Sequence, residues 1–90
     1  MKYNYHLDPG HGWLEVPYSE IVQLGIKDKI SQCSYRKGDT CYLEEDCDFS
    51  KFTNAYEAKY GNKIEIEYVY HTRKSAPPCF IRNLNHYRAL

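Results

Sequence analysis

Ninety residues, with twelve Lys and Arg against twelve Asp and Glu and a pI near 6.9, make one domain spanning residues 1–90 with no formal net charge. That balance excludes a nucleic-acid or membrane-surface binder held by overall charge, and at this size a chain buries only about 60 to 65% of the surface it exposes when unfolded. Ten tyrosines, three phenylalanines and Trp13 must supply much of a thin core, and their surplus is of the kind enriched at protein interfaces.

Residues 2 to 7 alternate, with Tyr3, Tyr5 and Leu7 on one face, and read as a strand. Asp8-Pro9-Gly10-His11-Gly12 is dense turn chemistry, and Trp13-Leu14-Glu15-Val16 resumes as a second strand, so a hairpin opens the fold. Pro17 suits the first turn of a helix, Ile21, Val22 and Leu24 give it an apolar side, and Gly25 followed by Ile26 is a left-handed stop. Residues 32 to 36 and 40 to 44 flank Lys37-Gly38-Asp39, a loop of hairpin length. Phe49, Phe52, Tyr56 and Tyr60 then recur at helical spacing, predicting the main helix over residues 48 to 60 with Gly61 as its stop. Residues 63 to 71 alternate again, with Ile64, Ile66, Tyr68 and Tyr70 on one face. Cys79 to Arg82 is a candidate last short strand. The order β-β-α-β-β-α-β predicts an α+β fold: an antiparallel sheet of about five strands, two helices on one side and one open face.

Charge is unevenly distributed. Between Lys37 and Lys51 every charged residue is acidic, and after Glu67 every one is basic. Asp48, or Asp46 one frame earlier, is placed to cap the main helix. One carboxylate suffices for a cap, so Glu44, Glu45, Asp46 and Asp48 together are either a solvated corner or a site for a cationic surface. With Trp13 and Tyr42 they form the candidate partner-binding set, since a clustered acidic patch can steer association with a basic groove. Arg73, Lys74, Arg82 and Arg88 form the alternative, a basic end for nucleic acid.

No stretch reaches the length of a membrane span and residues 1 to 4 lead straight into patterned sequence, so a cytoplasmic protein is expected, with Cys33, Cys41, Cys47 and Cys79 as reduced thiols. Their spacings give no zinc knuckle, and no metal or other cofactor is expected. Cys47 beside Asp46 and Asp48 is a poor nucleophile, and no phosphate loop, nucleophile elbow or helical His pair is present, so no catalytic residue is assigned and no enzymatic activity is expected. A helix-turn-helix over residues 21 to 36 fails at its second helix, because Cys33-Ser34-Tyr35 and Gly38 favour extended structure.

Asp8-Pro9-Gly10-His11-Gly12 resembles the first zinc-ligand motif of N-acetylmuramoyl-L-alanine amidases, which would make His11 a ligand with Glu20 and His71 nominated beside it. The same residues are also what a hairpin turn requires, and the turn is the preferred reading, with His11 an exposed loop residue. Residues 7 to 17, Leu24-Gly25-Ile26 with Ile30-Ser31 and Ser34-Tyr35, and Tyr42-Leu43-Glu44-Glu45-Asp46-Cys47-Asp48 together resemble a family of small proteins of bacterial phages, prophages and plasmids. That resemblance implies a mobile-element context, in which short non-enzymatic proteins block host machinery such as CRISPR effectors or restriction systems. The expectation is therefore a protein that occludes a host protein or ribonucleoprotein and has no membrane partner. An exposed Tyr-bearing strand edge could also pair two copies.

Overall fold

The computed structural model describes residues 2–71, 81 and 84–89. Strand β1 (Lys2–Leu7) turns back into β2 (Gly12–Pro17), α1 (Tyr18–Gln23) follows, β3 (Tyr35–Lys37) and β4 (Thr40–Glu44) form the second hairpin, and α2 (Phe49–Tyr60) leads to β5 (Glu65–Tyr70) and β6 (Asn85–His86). One six-stranded sheet results, in the order β5-β1-β2-β4-β3-β6. The α+β class is as expected and the sheet is mostly antiparallel, but β5 lies parallel to β1, with Tyr5 opposite Tyr68. The reason is the connection through α2. Because β4 and β1 both run antiparallel to β2, they share a direction, and a helix that carries the chain back along the sheet delivers the next strand in that same direction.

Both helices lie on one face. Tyr3 and Tyr5 from β1, Leu14 and Val16 from β2 and Cys41 and Leu43 from β4 meet Tyr18 and Ile21 of α1 and Phe52 and Tyr56 of α2 in one buried cluster. Full burial of each large apolar side chain stabilises by about 1.5 to 3 kcal/mol, which is how a domain this small holds together. Tyr3 meets Phe52 edge to face at 5.5 Å, and Tyr5 meets Phe49 in the same way at 5.4 Å, so the aromatic face of β1 is the floor on which α2 sits.

The helix stops follow the sequence. Gly25 has φ of 73°, its N–H donates to the Val22 carbonyl and that of Ile26 to the Ile21 carbonyl, which together satisfy the last turn of α1. Gly61, with φ of 75°, ends α2.

The opposite face is not open along its whole width. Trp13 and Tyr42 are buried there with Ile81, and Tyr35 and Leu84 pack against them. Of the candidate strand Cys79 to Arg82, only Ile81 falls among the described residues, and it is buried. Among the described residues the last strand is β6, where His86 pairs with Tyr35 and stacks on its ring at 4.9 Å. Tyr87 continues from it into the helix-side core, its hydroxyl donating to the Lys27 carbonyl at 2.6 Å. The first strand of the second hairpin is shorter than expected, because residues 32 to 34 turn back on Asp48 rather than extend.

Candidate functional site

The β1–β2 turn is tied before any ligand is considered. The Asp8 carboxylate accepts from the N–H groups of Gly10 and His11, both at 2.8 Å, and the Asp8 N–H donates to the His11 carbonyl. His11 therefore stands at a fixed place on the end of the sheet. The turn after β4 is tied to it, since the Glu45 N–H donates to the Gly12 carbonyl at 3.0 Å. Gly12 is needed for room: a Cβ there would lie 2.6 Å from the Tyr5 ring.

The two tied turns bring His11 against the acidic stretch. Glu44 is only 8% exposed. Its Oε2 accepts from the N–H groups of Asp46 and Cys47, and its Oε1 lies 3.5 Å from Nδ1 of His11. Donor atoms of His11, Glu44, Glu45 and Asp46 all lie within 4.8 Å of one another. Glu45 also accepts a long bond of 3.3 Å from the Tyr5 hydroxyl, whose pKa is raised by burial and by that carboxylate. A shallow hollow of about 400 Å3 opens beside the group, lined by His11, Trp13, Cys33, Tyr35, Glu44, Asp46, Cys47 and His86. The Cys47 thiol is pushed up to about 12, chiefly by its hydrogen bond with Cys33, then by burial and Glu44. The weak nucleophile expected at Cys47 follows, but Glu44 and Cys33 act on it where Asp46 and Asp48 were expected to.

The six residues of the candidate partner-binding set do not form one exposed patch. Trp13, Tyr42 and Glu44 are buried, and Asp48 is completely so; Glu45 is half-buried and Asp46 is exposed. Asp48 occupies the cap position of α2, yet its side chain makes no capping bond. It turns instead to the loop before β3, accepting from the Ser31 N–H at 3.0 Å, the Ser31 hydroxyl at 2.8 Å, the Ser34 hydroxyl and Lys51 Nζ at 3.0 Å. Burial alone would raise its pKa, but these donors outweigh it and hold the carboxyl below its usual range. In sequence, a carboxylate one residue before a helix has the signature of a cap, and nothing local reveals that two serines fourteen and seventeen residues earlier claim it.

The zinc set nominated around His11 is not assembled. Glu20 accepts from the Tyr3 hydroxyl on the helix side of the sheet. His71 contacts His6 on the other side, Nε2 to Nδ1 at 2.9 Å, and His6 Nε2 meets Glu15 Oε1 at 2.7 Å. Of the basic set, Arg73, Lys74 and Arg82 lie outside the described residues. Arg88 is exposed, and its carbonyl accepts from Arg36, whose guanidinium lies 3.6 Å above the Tyr18 ring.

A second candidate was less legible in the sequence. Strand β5 is at the edge of the sheet, and Tyr68 and Tyr70 on it are 55% and 69% exposed, with their rings stacked at 6.3 Å. Alternation placed them on one face with Ile64 and Ile66; what it could not reveal is that those isoleucines pack against the core while the two tyrosines further along stay exposed.

The fold and its surfaces define a small α+β domain with one mixed sheet that, among the described residues, ends on a strand bearing two exposed tyrosines. No protein-family model, curated protein or solved structure matches the chain. Among the described residues, no helix is long and apolar enough to cross a membrane.

Proposed function

We propose that this chain is a small non-enzymatic binding module that docks on a protein partner through β5, and that it inhibits a host protein or ribonucleoprotein by occlusion, in the mobile-element setting its sequence resemblance implies. The observation carrying this reading is the stacked, exposed Tyr68–Tyr70 pair on an edge strand. Edge strands present unpaired backbone groups that a partner strand can join, and two adjacent tyrosines supply rigid contact area at little entropic cost. Acidic side chains on the same strand, Glu65 and Glu67, keep the edge soluble, with Lys2 bridging Glu67 at 3.3 Å. Contact is thereby moved from the acidic corner, four of whose six nominated residues are interior, to the far edge of the sheet.

The test is reversible capture of partners from a bacterial host by three folded proteins: wild type, the Tyr68→Ser/Tyr70→Ser double variant, and the Glu45→Lys/Asp46→Lys double variant. A defined complex recovered with the wild type and the charge variant, and lost with the tyrosine variant, supports docking through β5. A complex that survives the tyrosine changes and disappears with the charge reversals overturns it.

A further inference from the structure

The joined turns at one end of the sheet hold four metal-competent side chains that the binding reading does not use. We infer that His11, Glu44, Glu45 and Asp46 form a binding site for a divalent transition cation, of which Zn2+ is the natural probe, and that the ion clamps the β1–β2 turn to the turn between β4 and α2. The site is independent of whatever docks on β5.

The donor set fits. Imidazole nitrogen and carboxylate oxygens are ligands of Zn2+ at about 2.0 to 2.2 Å, which puts tetrahedral donors roughly 3.5 Å apart. The present donor atoms, all within 4.8 Å of one another, need only small side-chain adjustments to converge. His11 and Asp46 are exposed and free to make that movement, while the third donor is already set.

That third donor is the observation that separates this corner from ordinary surface acids. The Glu44 side chain is nine-tenths buried, one oxygen is held by two backbone N–H groups, the other lies 3.5 Å from His11 Nδ1, and the residue lines the hollow. A buried carboxylate with one oxygen fixed by outer hydrogen bonds is a preorganised ligand. Three carboxylates around one imidazole repel each other, and a dication removes that repulsion. Four protein donors close a tetrahedron and leave no position for an activated water, so the site is a clamp rather than a hydrolytic centre. It shares His11 with the amidase-like zinc reading but none of the other residues nominated for it.

Cys33 and Cys47 line the same hollow, and thiolates compete for zinc. The experiment must therefore distinguish the two donor sets. Untagged protein, stripped with chelator and checked by circular dichroism, is titrated with ZnCl2 by calorimetry and then studied by zinc X-ray absorption. One equivalent should bind, raise Tm, and show a first shell of nitrogen and oxygen only. His11→Ala and Asp46→Asn, both at exposed positions, should each weaken binding at least about tenfold, and Cys33→Ser/Cys47→Ser should leave it unchanged. The absence of stoichiometric binding, undiminished affinity in His11→Ala, or sulfur in the first shell would each overturn the assignment.

Discussion

Replacing Asp48 by alanine separates two accounts of the same residue. A carboxylate serving only as the cap of α2 is worth about 1 kcal/mol. The structure gives it a larger role, because it accepts from the Ser31 N–H, the Ser31 and Ser34 hydroxyls and Lys51, with Ser34 fully buried. Lys51 is partly exposed and also reaches the Lys29 carbonyl, so it recovers in water and adds little. The Ser31 N–H and the Ser34 hydroxyl do not recover. Leaving each without its acceptor costs about 1 to 3 kcal/mol, so the substitution should destabilise by about 2 to 6 kcal/mol. A domain of this length has only about 5 to 13 kcal/mol in hand. At about 4 to 8 °C per kcal/mol, Tm should fall by at least about 8 °C. Asp48→Asn keeps one accepting oxygen and should fall between wild type and alanine. Urea unfolding followed by circular dichroism measures both variants. A loss of 1 kcal/mol or less for Asp48→Ala would show that the carboxylate is only a cap and would refute the reasoning.

Acid provides a second view of the same group: with its folded pKa below the unfolded value near 3.8, Asp48 stabilises fully above that pH, and its contribution disappears as pH falls through the folded pKa, a dependence that Asp48→Asn should remove from a Tm-against-pH curve. His71 acts higher on the scale. Burial, and then the neighbouring His6, lower its pKa while Asp8 opposes, so the folded state favours the neutral ring; stability is complete above about 6.5 and declines as pH drops below it, and His71→Gln should flatten that part of the curve, with an unchanged slope counting against the contact with His6. Gly12→Ala should cost about 1 to 3 kcal/mol in urea unfolding, since its Cβ would meet the Tyr5 ring at 2.6 Å, and a neutral result would mean that the ring moves aside freely. Gly61→Ala, at φ of 75°, should cost about 1 to 2 kcal/mol by the same assay from local backbone strain alone, because no tertiary neighbour lies within 4 Å of the added carbon.

Local pattern determined most of the elements. Alternation of Tyr3, Tyr5 and Leu7 placed β1, the spacing of Phe49, Phe52 and Tyr56 placed α2, and Gly25 and Gly61 marked the helix ends, because these signals depend on the geometry of a few neighbouring residues. The parallel pairing of β5 with β1 was also within reach, since a strand, a helix and a strand in succession return the chain in its starting direction. The sequence could not determine which polar side chains become interior. Asp48 and Glu44 read as surface charge until the loop before β3 and the turn after β4 close on them, and burial then turns surplus acids into an anchor and a prospective ligand. Gly12 resembled a turn residue in sequence and is present because Tyr5, seven residues away, lies across it. Tyr68 and Tyr70 share the face of Ile64 and Ile66 by alternation, yet only the isoleucines pack against the core, because coverage along a strand is a property of the assembled layers rather than of any stretch of residues.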